Sequence, residues 1–118
     1  MMFAPKGDAI RLFVRPGACD MRKQINGLSV LVEQELEKNP LEEGSLFLFC
    51  NRERRILKAL YWDATGFCLW QKRLEKHRFP WPQSAEKVKE ITGEQLSMLL
   101  KGIDFWHAHE RVSYTNVS

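Results

Sequence analysis

Three aspartates, Asp20, Asp63 and Asp104, together with a glutamate, have the composition of a carboxylate set that holds divalent metal for phosphoryl transfer. Each also has a local use. Asp20 follows Pro16-Gly17 and suits a helix N-cap, Asp63 opens a turn, and Asp104 lies just past a helix end. Those uses account for all three, so neither a catalytic set nor a metal site is assigned. His107-x-His109 places two imidazoles at alternate positions, but no further ligands stand at metal-site spacing. Cys19 lies near a helix start and Arg22, the setting that lowers a thiol pKa; without a partner base it reads as a plain small residue. No glycine-rich phosphate loop is present. The expectation is a protein that is not an enzyme, with no cofactor and no small-molecule substrate.

Charge gives a stronger signal. Residues 50–80 hold eight cations, Arg52, Arg54, Arg55, Lys58, Lys72, Arg73, Lys76 and Arg78, against Glu53, Asp63 and Glu75. Residues 33–43 hold five glutamates and one lysine. Lysine and arginine neutralise phosphates, and Tyr61, Trp62, Trp70 and Trp81 lie among them as candidate stacking partners for bases. The eight cations are therefore the candidate nucleic-acid contacts. A solvated sheet face with ordinary core aromatics is the other reading of the same stretch.

The chain has 118 residues, 44% apolar and 28% charged, with a net charge of +3. Those values fit one globular domain over residues 1–118 and disfavour disorder. No apolar run approaches the ~20 residues of a membrane span. Met1 to Gly7 lacks the basic-then-apolar layout of a signal peptide. Three widely spaced cysteines argue against a secreted disulfide framework, so the expected location is the cytoplasm.

The elements that position the cations follow from the pattern. After a loose lead-in over 1–9, residues 10–14 read as a short strand. Met21, Ile25, Leu28, Val32 and Leu36 recur at helical spacing and predict a long helix over about 21–38, ended by Asn39-Pro40. Gly27 inside it suggests a tight contact of helix on sheet. Residues 46–50, 55–62 and 67–73 read as strands joined by short polar turns, a three-stranded antiparallel meander over about 46–73. Two prolines in 74–82 suggest an edge segment or extended arm. Thr92 and Gln95 have capping-box spacing and open a short helix over about 93–101, with Gly102 at its C-terminal turn. An irregular tail over 106–118 completes an α+β domain with a mainly antiparallel sheet.

Several of these residues form longer motifs. The first is Asp20-Met21-Arg22-Lys23 with Gly27-Leu28. The second runs from Leu46-Phe47-x-Phe49 through Lys58-x-Leu60-x-Trp62-Asp63-x-x-Gly66-Phe67-Cys68-Leu69 and Lys72-Arg73-Leu74-Glu75 to Arg78-Phe79-x-Trp81-Pro82. The third is Gln95-Leu96-x-x-Leu99-Leu100-x-Gly102-Ile103-Asp104. In this order and spacing the chain, over about residues 8–106, resembles the TnpB-type transposase accessory protein of the insertion sequence 66 family of bacterial mobile elements. It departs from many relatives at Gln24, where glycine is frequent, at Cys19, where threonine is common, and in a tail with Arg111 as its one permanent cation. The resemblance implies a small cytosolic protein encoded beside a separate transposase and required with it for movement of the element. Two roles fit: a non-catalytic DNA-binding subunit, or a protein–protein adaptor for the transposase with little or no DNA contact. The implied partners are element-end DNA and the transposase, and neither a membrane nor a small molecule.

Overall fold

The computed structural model describes residues 10–83 and 88–106. Along the chain lie β1 (Arg11–Val14), α1 (Ile25–Gln34), β2 (Ser45–Cys50), β3 (Ile56–Asp63), β4 (Gly66–Arg73), β5 (Lys89–Ile91) and α2 (Gly93–Leu100). The strands form one sheet in the order β4-β3-β2-β1-β5. β2 pairs antiparallel with β3, and β3 with β4. β1 pairs parallel with β2, the geometry that needs a crossover, and α1 supplies it. The strands expected over 46–73 are thus neighbours in a larger mixed sheet, which β1 and β5 extend. β5 was not legible as a strand. Its three residues, Lys89-Glu90-Ile91, have no apolar alternation, and it is held antiparallel to β1 with an Arg11–Glu90 ion pair at 2.9 Å beside it.

Both sheet faces are covered. Phe13, Phe47, Phe49 and Leu60 pack with Leu28, Leu31, Val32 and Leu36 from α1 and the turn after it. On the opposite face Val14, Leu46, Leu48, Leu57 and Ala59 pack with Phe79, Trp81, Leu99 and Phe105. β2, buried on both sides, is therefore apolar without alternation.

The first helix is shorter than its periodicity suggests. Asp20 does not cap it; its carboxylate accepts the Arg22 N–H at 2.9 Å within a turn, and the helix starts after Gln24. The carbonyls of Met21 and Lys23, which a longer helix would use for its own ladder, accept instead from the Lys58 ammonium. At the other end Glu37 adopts φ 54°, and the Lys38 N–H donates back to the Val32 carbonyl, which turns the chain out of the helix ahead of Pro40. The apolar stripe still predicts burial: Leu28, Val32 and Leu36 are inside.

The second helix has its capping box, with Gln95 N–H on the Thr92 hydroxyl at 3.1 Å and Thr92 N–H on the Gln95 amide oxygen at 3.0 Å. Gly102 follows at φ +79°, and a Cβ there would stand 3.3 Å from the Arg78 carbonyl oxygen. That close approach brings the 74–79 segment against the end of α2. Residues 74–82 are not an extended arm. Phe79, Pro80 and Trp81 are buried, the Trp81 indole N–H donates to the Arg15 carbonyl at 2.8 Å, and the Phe79 N–H donates to the Arg54 carbonyl at 2.7 Å.

The double burial of β2 sets a stability contrast. Leu48→Ala should cost about 2–5 kcal/mol, the range for a buried leucine that leaves a cavity. Val30→Ala, on the outer side of α1 with 43% exposure, should stay within about 0.5 kcal/mol. Urea unfolding of the two variants measures both values.

Candidate nucleic-acid interface

The eight cations do not form one stripe along the strands, because alternation sends them to different faces. Lys58 lies on the face covered by α1 and is 2% exposed. Its ammonium donates to the Met21 carbonyl at 2.8 Å and the Lys23 carbonyl at 2.9 Å. It is a structural residue, out of reach of a phosphate. Lys72 lies on the opposite face, half-buried, with its ammonium 3.1 Å from the Leu100 carbonyl. There it meets the negative end of α2, a helix with no basic residue in its own last turn.

The other six gather at one end of the sheet. Arg52, Arg54 and Arg55 lie in or beside the β2–β3 turn, Arg73 ends β4, and Lys76 and Arg78 follow it. Backbone bonds stitch these pieces together: Leu74 N–H to the Arg55 carbonyl at 2.8 Å, and Phe79 N–H to the Arg54 carbonyl. The Arg55 guanidinium reaches across to the Glu75 carbonyl at 3.0 Å. The Asn51 side chain accepts from the Arg55 and Ile56 N–H groups and fixes the turn, in which Arg54 holds φ 62°. Arg52, Arg73, Lys76 and Arg78 are exposed. Glu53 and Glu75 lie among the six, the latter paired with Arg73 at 3.0 Å, so the cluster keeps a clear positive excess.

Of the four aromatics considered for stacking, Trp81 is in the core at 5% exposure. Tyr61, Trp62 and Trp70 are half-buried, and Trp62 meets Phe67 edge-on with ring centroids 5.1 Å apart. They support the sheet surface, away from the turn that carries the arginines.

A second basic region was missed. Arg22, Lys23, Gln24, Asn26 and Gly27 face Leu69 across an open groove at the start of α1. No side chain caps this helix and no acidic residue lies in its first turn. In the sequence this stretch is the motif Asp20-Met21-Arg22-Lys23 with Gly27-Leu28, and the reading of Gly27 needs correction: a Cβ there would meet the Lys23 side chain at 3.2 Å, not the sheet. Beside the groove, the Arg22 guanidinium holds the Asp20 carboxyl down at about 2.

The structure does not bring Asp20, Asp63 and Asp104 together: among the described residues no group of three or more His, Cys, Asp or Glu stands together. His107 and His109 lie outside the described residues. Burial pushes the Cys19 thiol up, away from the reactive thiolate, and holds Cys50 at about 12. No helix among the described residues is long and apolar enough to cross a membrane.

The assignment of Lys58 to structure rather than binding is testable. Lys58→Met strands two carbonyls and should cost about 1–3 kcal/mol. Arg52→Gln, at an exposed position, should cost less than about 0.5 kcal/mol. Equal effects in thermal or urea unfolding contradict the assignment.

Comparison with known proteins places this chain in a family. A model described as "IS66 Orf2 like protein" matches residues 10–110. The chain is similar to uncharacterized protein y4hO of Sinorhizobium fredii (strain NBRC 101917 / NGR234), 39% identical over 113 residues, which span 96% of this chain and 97% of that protein. It is also similar to uncharacterized protein y4jC of the same organism, 31% identical over 96 residues, 81% of each chain. No solved structure matches. A match over this much of the sequence, through both helices and all five strands, makes the chain a member of the IS66 Orf2-like family.

Proposed function

We propose that this protein is a non-catalytic, DNA-binding accessory subunit of an insertion element, acting beside a separate transposase. Family membership supports the link to the element. The observation that carries DNA contact is the gathering of Arg52, Arg54, Arg55, Arg73, Lys76 and Arg78 on two chain segments stitched by backbone bonds. The backbone bonds fix the two segments relative to each other, so less loop entropy is lost on binding. Guanidinium groups fit phosphate oxygens in pairs, and four of the six are arginines of the turn and the end of β4. The helix end nearest this cluster is the C-terminal turn of α2, already packed against residues 74–79 and engaged by Lys72, so the contact is with backbone phosphate and carries weak sequence preference. The adaptor role remains the competing reading, with the same surface meeting an acidic face of the transposase.

The experiment is a salt titration of binding to element-end and unrelated duplexes. Arg52, Lys76 and Arg78 are exposed and make no hydrogen bond within the described residues, so they can be changed without disturbing the frame. Replacing all three by glutamine should flatten the plot of log affinity against log salt by about 2.7, at about 0.9 for each phosphate no longer neutralised. Binding to all sequences should weaken alike, and wild-type protein with magnesium should leave the DNA uncut. Absence of binding at low salt, or an unchanged slope in the triple variant, contradicts DNA contact at this end and favours the adaptor.

A further inference from the structure

β4 closes one edge of the sheet, and among the described residues no strand pairs with its outer side. Edges of this kind are usually shortened, bulged, or broken by proline or charge. β5, at the other edge, has three residues. β4 has eight, contains no proline, and pairs with β3 without a bulge from Gly66 to Arg73. Its charges, Lys72 and Arg73, occupy only the last two positions. Between them and the turn, Phe67 and Leu69 lie on one face and Cys68 and Trp70 on the other, all half-buried.

The backbone polarity of this edge can be assigned. A two-residue connection, Ala64-Thr65, closes the hairpin, so Asp63 and Gly66 form its hydrogen-bonded pair. From there the even-numbered residues of β4 bond toward β3, as the Leu74 N–H does to the Arg55 carbonyl. The N–H and C=O groups of Phe67, Leu69, Gln71 and Arg73 point outward.

We propose that this edge pairs antiparallel with the same edge of a second copy of the chain, about a two-fold axis at Leu69. Phe67 then lies opposite the partner's Gln71, and Cys68 opposite the partner's Trp70. Like charges never meet, because Lys72 falls opposite the partner's Gly66. That glycine has no side chain, and across its hairpin the partner's Asp63 lies on the same sheet face as Lys72. The lysine ammonium has three N–H donors and uses one on the Leu100 carbonyl, which leaves donors for the partner's Asp63. The two-fold repeats this contact. A register about Trp70 instead sets Lys72 against the partner's Cys68 and loses the pairing of opposite charges. The inference is independent of DNA binding, and its test contains no DNA.

The test is the mass of the full chain by light scattering across a concentration series, with hydrogen exchange on the same samples. The mass should rise from 13.9 kDa toward twice that value, while exchange at the Phe67, Leu69 and Gln71 amides slows. Leu69→Lys and Leu69→Asp each set like charges across the axis and should weaken association by about tenfold or more. An equal mixture of the two should recover it, since lysine then faces aspartate. Circular dichroism checks that both variants fold. A wild-type mass of 13.9 kDa throughout overturns the proposal, as does a dimer unaffected by either variant. Slow exchange at these amides in a protein that stays monomeric also overturns it, because another segment of the same chain then covers the edge. If neither variant folds, the wild-type exchange decides: rates that do not depend on concentration overturn the pairing.

Discussion

Ser45–Cys50 is the middle strand of the sheet, and its six side chains lie on alternate faces with none above 2% exposure. Burying its five apolar side chains contributes about 1.5–3 kcal/mol for each of the larger ones, and that gain requires a cover on both faces. α1 covers one face as the crossover between the parallel strands β1 and β2. The other is closed by the chain after β4, where Phe79 and Trp81 enter the core before α2 adds Leu99. A segment containing two prolines and several charges is thus drawn onto the sheet by its aromatic residues. The consequence for the surface is direct. Closing the second face carries residues 74–79 past the β2–β3 turn, and this passage collects the exposed arginines at one end.

The same constraint decides which cations are structural. Lys58 occupies a strand position facing α1, where an unpartnered ammonium would be costly to bury. Two carbonyls from the turn before α1 satisfy it, and in doing so they set where the helix starts. Lys72, on the other face, completes the end of α2. Two lysines adjacent in a charge count therefore have structural duties on opposite sides of the sheet. The arginines, placed in turns and at a strand end, keep their charge at the surface.

Local chemistry was legible in the sequence where the signal was itself local. The capping box at Thr92 and Gln95, the glycine turn at Gly102 and the hairpin around Asp63–Gly66 depend on neighbours in sequence. What could not be read depends on contacts far along the chain. The late start of α1, after Gln24, follows from a lysine more than 30 positions away. β5 is held by β1, almost 80 positions distant. The split of the basic stretch between two faces needed the strand register, because a one-residue offset reverses which side chains are buried. Trp81 reads as a surface aromatic beside arginines until its indole is seen bonded to the Arg15 carbonyl.

The central claim is that the β2–β3 turn and the segment after β4 act together as one DNA-contacting surface. Backbone amide shifts recorded during addition of a short duplex test this residue by residue. The account predicts perturbations concentrated at Arg52–Arg55 and Arg73–Arg78, with the acidic stretch at Glu42 and Glu43 unmoved. Perturbations confined to the groove at Arg22–Asn26, or spread without preference over both ends of the sheet, would contradict it.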